Sequence, residues 1–401
     1  MTLDGISGTG QVTVRAGLLT AAGLAMAVAV TNGFARFAYA LILPAMRNDL
    51  GWNYTEAGWN NTANAIGYLA GAVVVFRAVR HISPHRLFAA NLWVTAAALT
   101  LTGLTTDFML SAMLRFVAGA AGAVAFVAGS VLAANIFARD AVRSATAIAV
   151  YFAGGGAAIL LSGVTMPWLF AYAGDASWPY AWIGMGVISS AMNLVAIGTA
   201  RGVREPEIRV GDKGWIKRPF MPLLLAYGIF GVGYIAYMTF IIAWLREHGA
   251  QAGEVALFWA VLGLATILAP SIWGRALAVW PAGRPLAAVL VAMAVGGALP
   301  LWQPTPAVMF VSAVTFGGSF FAAPTAIAVF SRKALPPSQW GEAIAGFTTL
   351  FALCQCLGPV LTGALSDAAG SLFAGLGFSA AILVVGAVIA FLQNDLKKRP
   401  S

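Results

Sequence analysis

The sequence predicts an all-α integral membrane protein, with twelve transmembrane helices in two pseudo-symmetric six-helix bundles. Three observations predict it: the composition, the length of the apolar runs, and the placement of positive charge. The chain has 401 residues, 60% of them apolar and only 9% charged, and its mean hydropathy is +0.84. Soluble domains are near half apolar and about a quarter charged, so these few charges cannot clothe a soluble surface. The same composition excludes intrinsic disorder. Two cysteines exclude a disulfide framework or a cysteine-built metal site.

A bilayer-crossing helix needs about 20 mostly apolar residues. Twelve such stretches follow one another at 17–44, 56–76, 87–105, 108–137, 144–170, 178–200, 220–244, 254–273, 286–302, 306–330, 342–366 and 371–392. Spans 3 and 4 are separated by Thr105-Thr106-Asp107, and spans 9 and 10 by Gln303-Pro304-Thr305-Pro306, both turn-forming clusters. Strands of a membrane barrel would be short and alternating. Span 1 has a single preceding arginine, Arg15, and runs well beyond the apolar core of a signal peptide, so it is read as a retained helix.

Charge placement tests the span count. With both termini assigned to the cytoplasm, only Arg47 and Arg246 of the 23 Lys and Arg residues fall in the opposite loops. Arg36 and Arg115 lie inside spans, and all the others face the cytoplasm. This is the positive-inside pattern. It places the chain in a cell inner (cytoplasmic) membrane, and it explains the net charge of +9 by contact with an anionic leaflet. No nucleic-acid partner is needed.

The polar stretch 201–219 divides six spans from six, giving bundles at 1–200 and 220–401. The halves echo one another at an offset of 198: Glu56 with Glu254, Arg77 with Arg275, Arg86 with Arg284, Gly33 with Gly231, Tyr39 with Tyr237 and Gly119 with Gly317. Parallel repeats of this kind place a substrate site between the halves near the midplane.

At these residues the chain resembles the major facilitator superfamily. In span 4, Arg115-Phe-Val-Ala-Gly119-Ala-Ala-Gly122 is similar to that superfamily's arginine–glycine motif. The loop after span 2 reads Gly71-Ala-Val-Val-Val-Phe-Arg77 and departs from the family pattern by lacking its acidic residue, as does Trp273-Gly274-Arg275 in the second half. The opening Asn32-Gly33-Phe34-Ala35-Arg36-Phe37-Ala38-Tyr39, with Leu43-Pro44, resembles the poorly characterised YbfB/YjiJ-like branch. The resemblance implies the superfamily's fold, helices 1 and 4 lying together along the first half's side of a central cavity, and a transporter working by alternating access.

Arg36 and Arg115 carry the functional reading. A guanidinium at a helix centre costs about 2.5–3.5 kcal/mol on insertion scales, and arginine cannot shed its charge. Both sit 8 residues from a span boundary, about 12 Å inside the external face. All 14 acids fall in tails, loops or the end turns of spans. The missing anion is therefore read as the substrate, a small carboxylate-type molecule held by forked hydrogen bonds. Against this stands a packing role: Arg115 bonded to backbone carbonyls, and Arg36 reaching outward to Asp49 or Glu56.

Helical spacing adds Asn32 and Tyr39 to the Arg36 face, groups Asn61, Asn64 and Tyr68 on span 2, and pairs Tyr234 with Tyr237 on span 7. Tyr234 takes the place of Arg36 in the second half. Thr348 and Gln355 share a face of span 11. The alternative for each is interhelical glue, worth about 0.6 kcal/mol per contact. Glycines in spans 5 and 11, Gly154 to Gly156, Gly163, Gly358 and Gly363, read as points of close helix approach. No metal or cofactor is expected: Cys354 and Cys356 diverge on a helix, His81, His85 and His248 lack companions, and no phosphate-binding loop is present. An enzyme is not expected either, since no intramembrane acid–base pair exists. The expected partners are a small anionic substrate, a coupling proton and the lipid bilayer, with the chain acting as a monomer. The second functional reading is proton-coupled efflux of hydrophobic or aromatic compounds, favoured by the aromatic content of 11%.

Overall fold

The computed structural model describes residues 13–78, 81–138, 140–204, 218–335 and 340–396. Of the central linker, residues 205–217 lie outside the described residues, and so does the side chain of Arg77.

Twelve helical rods are present among the described residues, one for each expected span, with no strand. Rod 1 is composite: α1 (Val14–Val28), a π-helix (Ala29–Phe37) and α2 (Tyr39–Leu50). The next six are α3 (Tyr54–Ala78), α4 (Pro84–Thr102), α5 (Phe108–Asn135), α6 (Ala141–Ala173), α7 (Trp178–Ala200) and α8 (Met221–Glu247). Then come α9 (Ala252–Val279) and α10 (Arg284–Trp302). Rod 10 breaks at Phe321 into α11 (Pro306–Phe320) and α12 (Ala322–Ala334). Rod 11 breaks before the Gly358-Pro359 pair into α13 (Trp340–Gln355) and α14 (Gly358–Ala369), and α15 (Leu372–Phe391) closes the chain.

Ten of the rods are long and apolar enough to cross a membrane by length and composition. The two that fall short, α3 and α4, carry polar side chains that the fold tucks inward. Asn60, Asn61, Thr62 and Asn64 of α3 and Thr95 and Thr102 of α4 are all buried.

The helix starts explain the Glu56–Glu254 match of the repeat. Asn53 and Glu56 cap α3 reciprocally, the Asn53 amide donating to Glu56 Oε2 at 2.9 Å and the Glu56 amide to Asn53 Oδ1 at 2.8 Å. At the matching place in the second half, Gln251 and Glu254 form the same box at the start of α9. Each box closes a helix start by satisfying orphan amides. Just before each, a glycine takes a left-handed turn, Gly51 at φ 67° and Gly249 at φ 83°.

By their contacts the residues form two compact units. Unit 1 comprises the described residues up to Ala38, Gly67–Ile159, and Trp178 to 204; unit 2 comprises Tyr39–Ile66, Leu160–Ser177 and the described residues from 218 onward. These groupings differ from the halves 1–200 and 220–401 at 39–66 and 160–177. The cause is a polar seam inside unit 2, at the helix ends away from the chain start. Asp367, near the end of α14, accepts the Tyr54 and Thr55 amides at 3.0 and 2.8 Å and the Thr55 hydroxyl as well. Its carboxylate therefore sits on the positive end of α3. Glu247 accepts from Arg47 at 3.3 Å and from the Tyr54 hydroxyl. Asp175 accepts from Arg246 at 3.0 Å and from Asn48 at 2.8 Å. Backbones come close beside the seam: a Cβ on Gly363 would overlap the Tyr54 carbonyl.

Candidate functional site: a buried cation and an aromatic face

In unit 1 the expected site residues of rod 1 lie in the π-helix. All nine residues of that segment are buried. Its widened turn is marked by the Ala38 amide bonding Gly33 O at 2.9 Å, an i→i+5 bond. Arg36 is 6% exposed, and its guanidinium carbon lies 5.0 Å from the centre of the Tyr68 ring. Over an aromatic face a cation meets the negative pole of the ring quadrupole. The structure thus joins two residues that the sequence placed on separate spans. Asn32, one turn earlier, is 7% exposed and donates to Thr31 Oγ1 at 3.2 Å.

Arg115 is fully buried on α5. Its Nη1 donates to Ala35 O at 2.5 Å, and its guanidinium carbon lies 5.1 Å from the Trp182 ring centre. The carbonyl bond corresponds to the packing alternative. It also brings Arg115 to the residue before Arg36. Rods 1 and 4 are in ordinary contact here, a Cβ on Gly122 reaching to 3.5 Å from Thr31 Cβ. Below Arg36, Tyr68 leads into a cluster of rings, with Phe126 at 6.4 Å and Tyr151 a further 6.1 Å from Phe126.

In unit 2 the expected residues join a different environment. Tyr234 donates to Gln355 Oε1 at 3.2 Å. Its ring stacks on Phe230 at 4.9 Å, Phe351 at 5.6 Å and Phe320 at 6.2 Å. Tyr237 stacks on Phe316 at 3.9 Å. Ser312 gives its hydroxyl hydrogen to Gly296 O at 2.6 Å, so Tyr237 is the donor in its 2.8 Å bond to Ser312. Asn61 donates to Thr239 Oγ1 at 2.6 Å, and Asn64 is buried nearby on α3. Thr348 is exposed and stands two turns from the buried Gln355.

Tyr39 begins α2. Its hydroxyl donates to Ala57 O at 2.8 Å, within unit 2. The seven-residue spacing from Asn32 aligns two side chains on an unbroken α-helix, and here a π-helix lies between them. Sequence reasoning missed Trp182 and the stacked Phe230, Phe316, Phe320 and Phe351. Part of that signal was present, because Tyr227, Phe230, Tyr234 and Tyr237 recur at helical spacing on span 7. No group of three or more metal-binding side chains occurs among the described residues.

Several solved structures share this fold. A bacterial homolog of the human lysosomal transporter Spinster, in an inward-facing and unoccupied conformation, matches with a TM-score of 0.71 at 15% identity, covering 95% of this chain and 96% of that one. The nucleoside transporter NupG matches at 0.70 and 13% identity, over 94% and 97% of the two chains. A D-xylose–proton symporter matches at 0.73 and 11% identity, over 95% and 98%. These likenesses show that the chain shares the fold of these three transporters. No curated protein matches the sequence. The sequence model described as "Uncharacterised MFS-type transporter YbfB" matches residues 25–391, nearly the whole chain, and the chain accordingly belongs to that transporter family.

Proposed function

We propose that the chain moves a small organic anion, a carboxylate with an apolar or aromatic part, by rocker-switch alternating access. The observation that carries this reading is Arg36. It is a permanent cation buried in mid-span, seated against a ring face, in a chain whose carboxylates belong to helix ends and loops. Charge-assisted bonds to a carboxylate would favour the bound anion. Asn32 and Tyr68 complete that side. Tyr234, Tyr237 and Gln355 offer rings and hydroxyls from the second half, and Asn61, Asn64, Tyr39 and Thr348 are secondary members of the set. Arg115, bonded to Ala35 O, contributes its charge from behind.

On this reading both termini are cytoplasmic and the membrane is the inner one, as the Lys and Arg placement supports. The seam at Asp367, Glu247 and Asp175 is then the external gate in its closed form. The bodies that rock are residues 1–200 and 220–401, joined by 201–219. A proton entering with the anion would need no carboxylate in the cavity.

Uptake into proteoliposomes tests the reading, with benzoate as the carboxylate probe and benzamide as its neutral counterpart. Benzoate should accumulate and benzamide should not. Arg36→Ala should lower uptake roughly 10- to 100-fold, the equivalent of about 1.5–3 kcal/mol for a charged hydrogen bond. Undiminished benzoate uptake in Arg36→Ala would overturn the assignment. The stacked rings of unit 2 favour a second reading, proton-coupled efflux of hydrophobic aromatics. Extrusion of lipophilic cations, unaffected by benzoate, would select it.

A further inference from the structure

The geometry points to Arg115 as a positioning residue: it fixes the π-helix of rod 1 and thereby sets the direction of Arg36. The inference rests on the anion-binding reading of Arg36 for its functional meaning, but its structural content stands apart from that reading.

A nine-residue π-helix is rare, because i→i+5 bonding is a poorer ladder than the α pattern. Strained backbone of this kind persists where the surroundings over-determine it. Two contacts do so here. Where i→i+5 bonding returns to i→i+4, the ladder skips a carbonyl, and the exit lies at 34–38. Arg115 delivers a charged donor to this exit, at Ala35 O, 2.5 Å away. The guanidinium is itself held by full burial against the Trp182 ring. On the other side, Gly33 meets rod 5 so closely that a Cβ there would overlap the Ala158 methyl.

The second half supplies an internal control. At the 198 offset Arg115 becomes Ala313, Arg36 becomes Tyr234 and Ala35 becomes Gly233. There the extra donor to the Gly233 carbonyl is a neutral hydroxyl, Ser379 Oγ at 2.6 Å, and α8 runs as unbroken α-helix from Met221 to Glu247. The arginine and the π-helix thus occur together in one half, and both are missing from its counterpart.

The consequence for Arg36 is angular. Side chains turn about 100° per residue in an α-helix and roughly 80° in a π-helix, so over the seven steps from Ala29 the difference reaches about 140°. The π register therefore decides whether Arg36 faces Tyr68. Loss of the Arg115 donor loosens the hydrogen-bond ladder of the segment, frees it from the π register and swings the cation off that ring.

Amide hydrogen exchange on the purified full-length chain in nanodiscs tests this. Peptides covering 29–38 are compared with peptides covering 221–247, which report the α-helical counterpart. Arg115→Ala should speed exchange at 29–38 at least tenfold and leave 221–247 unchanged. Arg36→Ala should leave 29–38 at the wild-type rate, because the donor to Ala35 O is still present. Wild-type exchange at 29–38 in Arg115→Ala would overturn the inference, and so would equal acceleration of both peptides. Should Arg115→Ala fail to fold, Arg115→Met carries the test, since it keeps the buried stem and removes the donor. A two- to fivefold acceleration confined to 29–38 supports the positioning role, and an unchanged rate overturns it.

Benzoate binding, followed by thermal shift with benzamide as control, adds the functional arm. The Arg115→Met variant should bind benzoate about fivefold more weakly than wild type. Unweakened binding alongside accelerated exchange would overturn the link to Arg36. Wild-type benzoate binding in Arg36→Ala would instead sink the anion reading itself and leave the exchange result to decide what Arg115 does.

Discussion

Residues 29–37 and 227–235 occupy the same place in the two halves of the repeat, yet their backbones differ. The first is a π-helix holding Arg36, with Arg115 bonded into its exit. The second is ordinary α-helix, its Tyr227, Phe230 and Tyr234 stacked in series along one side. Both are largely buried. The contrast shows what a buried cation asks of a helix. Aromatic rings satisfy one another through their faces and leave the backbone ladder intact. A guanidinium needs acceptors, and in a membrane interior the nearest acceptors are carbonyls. Where the first half has placed two arginines, the helix is π; where the second half has placed rings, it is α.

Three substitutions sharpen or break that contrast. The largest effect is expected from putting the cation into the wrong half. Ala313→Arg places a guanidinium opposite an α-helix whose Gly233 carbonyl already accepts from Ser379. The insertion cost of about 2.5–3.5 kcal/mol should appear as a large fall in melting temperature. A variant as stable as wild type, with a π-turn at 227–235, would instead show that arginine alone can remodel the segment. Next comes Gly33→Ala, which drives a methyl into Ala158. Overpacking of this kind costs about 1–3 kcal/mol. Adding Ala158→Gly should restore most of the loss, while the same partner should do nothing for Gly231→Ala, whose Cβ would lie 2.8 Å from Phe351 O. The smallest effect belongs to Tyr234→Phe. It removes the 3.2 Å bond to Gln355 and keeps the stack, so a loss of about 0.6 kcal/mol is expected. A much larger loss of transport at unchanged stability would identify the Tyr234 hydroxyl as a substrate contact.

The architecture was legible from particular runs of residues. Each expected span has its rod, and even the break in rod 11 was announced by Gly358-Pro359. The matched Glu56 and Glu254 proved to be capping-box glutamates at equivalent helix starts, so that pair of the echo has a local cause. The π-helix was not legible. Nothing in Ala-Val-Thr-Asn-Gly-Phe-Ala-Arg-Phe distinguishes i→i+5 from i→i+4 bonding. Arg115 was legible as a buried cation with two alternative fates. Only the position of the Ala35 carbonyl separates them, and that position depends on how rod 4 lies against rod 1. The stacking of Tyr234 failed to emerge for the same reason, since Phe320 and Phe351 come from distant rods.

One feature of the seam bears on how such a protein could open. Asp367 covers two amides at the start of α3 with a carboxylate from the far end of α14. Parting them exposes an anion and two donors together, and each needs solvation before the separation becomes affordable in free energy. Several water molecules must therefore enter as the ends move apart. With the seam as the proposed gate, hydration acts as a reactant in the conformational cycle, and a solute excluded from protein surfaces, such as sucrose, should hold the ends together and slow turnover as osmolality rises.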